Sequence, residues 1–327
     1  MYAQIFVHMR HKLFGGMVAL CISVAAMPSA KAQSPVYIEP PGFALGINLG
    51  LADLWGDVGT KTILDHYFNG KYFKMPCFMG GPSVRYSAHP SFAVRATISY
   101  GTLYASDNWN EKGFEKSTSV NDDAYQRYVR NLNVKSNIWE GNLLMEISPF
   151  RFGLESNLAR KRFQPYLLAG IGGFHFKPMG EYVDRAQQGG SKWVRLDQLH
   201  TEGQGFDFDG APERYELWQK SIPLGIGFRW DIGYQLSLGV EYLYRYCFTD
   251  YLDDVSGQYV DPRYFEANIT SPNAETARNM YDKSWLIDPS ITHTKGDLRG
   301  NNGVNDAFST ISVSLYYKLK RRADHWW

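Results

Sequence analysis

The sequence predicts an all-β fold: an eight-stranded antiparallel transmembrane β-barrel with short turns at one end and long loops at the other. Three observations carry that expectation. The 327-residue chain is 15% aromatic and holds 31 glycines, a composition that suits twisted strands and aromatic belts better than helices. Eight segments alternate apolar residues with small or polar ones at period two, as a strand with two different faces must. The connections between these segments alternate between long and short, which is the rhythm of a barrel with short periplasmic turns and long external loops.

The chain opens with an address. Basic Arg10, His11 and Lys12 precede an apolar run from Met17 to Met27, and Ala30-Lys31-Ala32 supplies the small-x-small cleavage site, so residues 1–32 read as a cleaved secretory signal. The run is too short for a spanning helix and ends in Pro28-Ser29,. Residues 33–41 then form a periplasmic N-terminal segment, 42–319 the barrel, and 320–327 a basic and aromatic C-terminal tail.

The first strand places Phe43, Leu45, Ile47, Leu49 and Leu51 against Ala44, Gly46, Asn48, Gly50 and Ala52. A weaker second segment, about 77–88, opposes Val84 and Tyr86 to Ser83 and Arg85, and the third opposes Phe92, Val94, Ile98 and Tyr100 to Arg95, Thr97 and Ser99. In the fourth, about 138–148, Trp139, Leu143, Met145 and Ile147 oppose Glu140, Asn142 and Glu146; Leu132 and Val134 sit in the other parity, which predicts a bulge near 136–138,. The fifth, about 163–176, is blurred by glycines 170, 172 and 173. The sixth alternates Ile222, Leu224, Ile226, Phe228 and Trp230 with Gly225, Gly227 and Arg229, and the seventh alternates Leu236 to Phe248 with Glu241, Arg245 and Cys247. The eighth runs through Ile311, Val313, Leu315, Tyr317 and Leu319. Only His89-Pro90-Ser91 and Ile232 to Gln235 join segments two to three and six to seven, and 149–162 is moderate, whereas 53–76, 105–131, 177–219 and 250–306 are long. A soluble sandwich would need a second sheet over each apolar face and leaves the loop rhythm unexplained.

Charge and motifs exclude other classes. With 34 Lys+Arg against 33 Asp+Glu the net charge is +1, which offers no global field for nucleic acid. No stretch beyond the N-terminus stays apolar for the roughly 18 residues of a spanning helix. There is no GxSxG elbow, HExxH, P-loop or dinucleotide glycine triplet. His66, His175, His200 and His293 lack an evident catalytic company; His66 beside Asp65 comes nearest to a pair but lies in a polar loop. The protein therefore reads as non-enzymatic, with no cofactor and no metal. Carboxylates such as Asp207, Asp209, Asp250, Asp253 and Asp254 stand close enough to hold calcium, but no twelve-residue calcium loop is present,, and solvated or self-capping acidic turns are expected. Export permits a disulfide between Cys77 and Cys247; either could equally be a small apolar side chain in a strand.

If the apolar parity faces lipid, Arg85, Arg95, Arg229 and Arg245 point inward with Glu140, Glu146 and Glu241. An eight-stranded barrel is only wide enough for side chains to fill, so these ions are expected to form a plug of salt bridges. Glu241 and Arg245 lie about 13 Å apart along one strand face and cannot pair with each other; Arg229 on the neighbouring strand is the candidate partner of Glu241. Expected partners are outer-membrane lipids, with no nucleic acid. The periplasmic side carries Arg151, Arg160, Lys161 and Arg162 in the 149–162 turn and Lys320, Arg321, Arg322, Trp326 and Trp327 in the tail. These groups are either orienting anchors at the membrane interface or a dock for a periplasmic partner.

The segments Gly80-Gly81-Pro82-Ser83-Val84-Arg85-Tyr86 with Phe92-Ala93-Val94-Arg95, Gln164-Pro165-Tyr166-Leu167-Leu168-Ala169-Gly170-Ile171-Gly172, Thr249-Asp250-Tyr251-Leu252-Asp253-Asp254-Val255-Ser256 with Tyr259-Val260-Asp261, and Arg299-Gly300-Asn301 resemble, in this order, the PorG-like barrels of the Bacteroidetes outer membrane. The resemblance spans about 42 to 319. It implies an integral outer-membrane barrel and, through the family's best-known member, an accessory or scaffold role in type IX protein secretion beside a periplasmic ring of lipoproteins. The chain departs from the shorter members by its extended 177–219 and 250–306 loops and its tail. The alternative function is a stand-alone adhesin or binding barrel working through its loops, followed by a small-solute pore.

Overall fold

Strand β1 (Gly42–Trp55) sets the pattern of the wall: Phe43, Leu45, Ile47 and Leu49 are exposed, while Ala44 and Gly50 face a crowded interior. The computed structural model describes residues 41–60, 77–152, 162–184, 191–233, 235–270 and 272–319; the expected signal, most of the expected N-terminal segment, the expected tail and His66 lie outside them. Strands β2 (Phe78–His89), β3 (Phe92–Ser106), β4 (Asn133–Ile147) and β5 (Phe163–Val183) follow, then a short β6 (Ser191–Arg195), β7 (Trp218–Asp231), β8 (Leu236–Cys247) and β9 (Ala307–Lys318). Each pairs antiparallel with its neighbour, and β1 pairs with β9, so eight strands close a ring of order β1-β2-β3-β4-β5-β7-β8-β9. Strand β6 stands outside the ring as a hairpin partner of the outer end of β5, where Met179 to Val183 have run past the start of β7.

Closure follows from the alternation: a one-residue slip would turn every apolar side chain inward, so the buried polar face fixes the register. The outward apolar face has aromatic rims. Phe43 packs on Tyr86 at 4.8 Å and Phe163 on Phe228 at 5.4 Å near the short turns; Tyr100 meets Trp139 at 4.8 Å and His175 meets Trp218 at 5.0 Å at the far rim. From Trp218 to Phe228 a tilted strand rises about 25 Å along the barrel axis, the height of an outer-membrane apolar band. His175 is thus a rim residue.

The bulge expected in β4 is absent: the pairing with β3 runs unbroken from Asn133 opposite Ser106 to Ile147 opposite Phe92. Val134 and Ile138 point inward with Glu140 on the same face. The apolar parity changes because the environment changes. Beyond the outer rim the strands leave the lipid, and their inward residues become the floor of a second core.

That core is built from strand ends and loops together. Leu54, Met79, Leu103, Val134, Ile138, Phe174, Phe176 and Phe308 from the strands join Val58, Trp109, Leu132, Leu196, Leu252, Tyr259, Phe265 and Met280 from the connections. Among the described residues four short helices lie in these connections: α1 (Glu111–Lys116), α2 (Asp123–Arg130), α3 (Arg263–Asn268) and α4 (Asn273–Tyr281). Cys77 and Cys247 are buried thiols of this cluster. The described parts of the long loops therefore fold into a cap on the barrel's external end.

Candidate functional site

The bore carries the ions in layers, each set by the inward parity of its strand. Glu146 on β4 accepts from Arg85 Nη2 on β2 at 2.9 Å and also from Arg229 on β7. Above it, Arg95 on β3 donates to Glu241 on β8 at 2.9 Å and to the Tyr316 hydroxyl at 2.5 Å, and the Tyr166 hydroxyl donates to the same Glu241 at 3.0 Å. Next, Arg245 forms a two-pronged pair with Glu140, both bonds at 3.0 Å, and also donates to the Thr310 hydroxyl at 2.6 Å. All seven ions are buried. Arg229 is not the partner of Glu241: the tilt and stagger of the strands carry its guanidinium down to Glu146 and bring Arg95 from across the bore to Glu241. Arg245 also lies 5.1 Å over the Phe308 ring, where the polar column meets the apolar core of the cap.

Two tyrosines fill the remaining width. Each needs a glycine opposite: a Cβ on Gly46 would sit 2.4 Å from the Tyr316 ring, and one on Gly227 would sit 2.4 Å from Tyr166. Sequence reasoning passed over both. Tyr316 sits in the polar parity beside the outward Tyr317, which was the available signal. A cavity of about 10 Å³ lies in the bore between Asn48, Glu241 and Arg245, barely the space of one water.

The periplasmic mouth is closed by a cluster that sequence reasoning also missed. Asp231 at the end of β7 accepts from Arg151 at 3.1 Å, Lys318 at 2.6 Å and Ser237 at 2.7 Å. Arg151 is therefore not part of an exposed basic dock; it is buried in the barrel floor. Arg162 is exposed at the start of β5. The other proposed dock residues, Arg160, Lys161, Lys320, Arg321, Arg322, Trp326 and Trp327, lie outside the described residues.

In the cap the acidic segments are anchors. Asp107 accepts backbone N–H bonds from Gly59 and Leu132, each at 3.0 Å, and both its oxygens take bonds from Arg130 at 2.9 Å. Arg130 also donates to the carbonyls of Asp57 and Arg299, so one guanidinium ties three loops. Asp253 accepts from the Val58 and Val255 amides at 2.8 and 3.0 Å, and Asp306 from the Leu252 amide at 2.7 Å. Asp254 accepts from the Thr201 and Tyr215 hydroxyls, both at 2.5 Å. Burial, helped by the nearby charge of Asp57, pushes the Asp253 carboxyl well above the usual carboxylate range, and burial holds Asp250 and Asp254 at about 7. Near neutrality these acids are only partly ionised, so the cluster does not carry its full negative charge into the core. Among the described residues no group of His, Cys, Asp and Glu has the arrangement to hold a metal. His293 pairs with Asp282 at 3.0 Å and stacks on Tyr259 at 4.2 Å.

A closed antiparallel barrel with a lipid-facing apolar band, an ion-filled bore and a folded external cap defines a membrane protein of the bacterial outer-membrane type. Residues 17–269 match the family described as outer membrane protein β-barrel domain, and the chain belongs to that family; it is an outer-membrane protein. A search of curated proteins gives no significant match. Among solved structures the chain is similar to the attachment invasion locus protein Ail of Yersinia pestis, at 9% identity, 85% of this chain, 99% of that one and a TM-score of 0.34. It is also similar to a major outer membrane protein of Thermus thermophilus, at 10% identity, 85% of this chain, 100% of that one and a TM-score of 0.35. The outer membrane protein OprG of Pseudomonas aeruginosa matches at 10% identity, 86% of this chain, 98% of that one and a TM-score of 0.32. These likenesses concern the barrel fold alone.

Proposed function

We propose that the protein is a non-conducting, non-enzymatic outer-membrane barrel whose working surface is its folded external cap. The observation that carries this reading is the continuity of the filling. The bore passes from the Asp231 cluster through the arginine–glutamate layers into the apolar core of the cap, and the cap's loops are locked together by buried ion pairs. A surface ordered in this way is pre-organised for binding, which lowers the entropy cost of engaging a partner.

A second reading, an accessory or scaffold role in type IX secretion, rests on the sequence resemblance to PorG-like barrels. Its partners would be periplasmic ring lipoproteins, met at the turns and the basic tail. One experiment addresses both readings: photo-crosslinking amino acids placed at Leu298, 75% exposed on the cap, and at Phe152, 66% exposed at the periplasmic turn, in the native outer membrane. The cap reading expects adducts from outside the cell at Leu298 and only lipid at Phe152. Periplasmic lipoproteins at Phe152 with nothing at Leu298 would overturn it in favour of the secretion role.

A further inference from the structure

The loop between β6 and β7 lines a half-open cavity of about 380 Å³ on the cap, a volume within the range of small-molecule sites. Its aromatic wall is fixed. Tyr215 is held by its hydrogen bond to Asp254 and by stacking on Tyr251 at 4.8 Å and Phe176 at 6.1 Å. The acid that lines the cavity, Asp197, is already taken by Arg195, at 3.0 and 2.6 Å. The donors are less committed. Arg214 lies across Gly205, where a Cβ would come within 2.6 Å of its Nε and where φ is +73°, and it has no carboxylate partner among the described residues. Gln204 is 1% exposed; its Oε1 accepts from the Glu202 amide at 3.1 Å, and its Nε2 has no hydrogen-bond partner among the described residues. A buried amide of this kind calls for an acceptor. His200, half-buried with a left-handed backbone (φ 49°), lines the same wall.

We propose that this cavity binds a small hydroxylated carboxylate, of hexuronate type, with the carboxylate on Arg214 and the Gln204 amide and the carbon skeleton against Tyr215 and Leu217. A guanidinium meets a carboxylate with two parallel charge-assisted bonds, the saturated Asp197 leaves the cavity with an unspent positive charge, and the apolar wall suits the C–H face of a ring. The proposal rests on the reading of the cap as the working surface.

The test uses the full chain folded in detergent, titrated with D-glucuronate, D-glucose and acetate by calorimetry and ligand-detected NMR. Glucuronate is expected to bind at least about tenfold more tightly than glucose or acetate, and Arg214→Ala to weaken it by about tenfold or more, the value of one charge-assisted pair. Gln204→Glu keeps the Oε1 acceptor and replaces the donor with a repelling oxygen, so it should weaken glucuronate and spare glucose. Protease resistance of the cap in both variants shows that it remains folded. Equal binding of glucose and glucuronate, undiminished binding in Arg214→Ala, or no saturable glucuronate binding to the capped protein would overturn the proposal. If glucuronate fails while Leu298 still crosslinks an external partner, the cavity assignment alone falls.

Discussion

Replacing Glu146 with alanine is expected to destabilise the barrel by about 3–5 kcal/mol, the cost of breaking a buried ion pair and stranding its partner. Here one carboxylate serves two guanidiniums: Arg85 reaches it through Nε and Nη2 at 3.1 and 2.9 Å, and Arg229 meets the same oxygen. Its loss takes the shared carboxylate from two arginines in a bore too narrow to hydrate them. Glu241→Ala should cost less, since it takes the carboxylate from one guanidinium, Arg95, which keeps Tyr316, and otherwise releases only the neutral Tyr166 hydroxyl. Glu146→Gln, which retains an acceptor without the charge, should fall between. Tyr242→Phe, on the lipid-side parity of β8, should stay within about 0.5 kcal/mol. Urea unfolding of the bilayer-embedded protein, followed by tryptophan fluorescence, measures all four. Equal small losses for Glu146→Ala and Tyr242→Phe would mean that the two faces of the wall are reversed.

The second large effect is expected in the cap. Glu202 accepts the Ser256 and Gly257 amides, each at 3.0 Å, and Arg299 at 2.9 Å. Glu202→Ala takes the carboxylate from a buried guanidinium that keeps only the Asp254 and Tyr281 carbonyls and strands two backbone donors, a loss of about 3–4 kcal/mol by the same reasoning. The wall does not depend on this carboxylate, so the damage should stay local. Limited proteolysis should cut within 249–306 while heat-modifiable migration on gels is unchanged. Glu213→Ala, at an exposed position of the same loop, should leave the cap resistant. Resistance of Glu202→Ala equal to that of Glu213→Ala would show that the cap is held by other contacts.

The wall was legible because period two survives in each strand as long as lipid lies on one side and a polar bore on the other. It misled where that condition ended. Val134 and Ile138 keep the inward parity but enter the cap core, so a change of environment along β4 reads in the sequence as a change of register. Pairing inside the bore was not legible, because it depends on tilt and stagger: Arg229 neighbours Glu241 along the sheet yet reaches Glu146. The floor was missed for a related reason. Arg151, Asp231 and Lys318 come from a turn and two strand ends far apart in sequence, and only closure brings them together. Thr249 to Ser256 reads locally as a solvated or cation-binding acidic turn; in the fold Asp253 caps the amides of Val58 and Val255, and Asp254 takes the hydroxyls of Thr201 and Tyr215 from another loop.

Electrical conductance tests the central claim, that the barrel is sealed along its length beneath an ordered cap. In planar bilayers the purified, heat-modifiable protein should insert without discrete channel openings. It should remain silent when Glu202→Ala loosens the cap, because the arginine–glutamate layers and the Asp231 floor still fill the bore. Stepwise, ohmic openings in the intact protein would contradict the account.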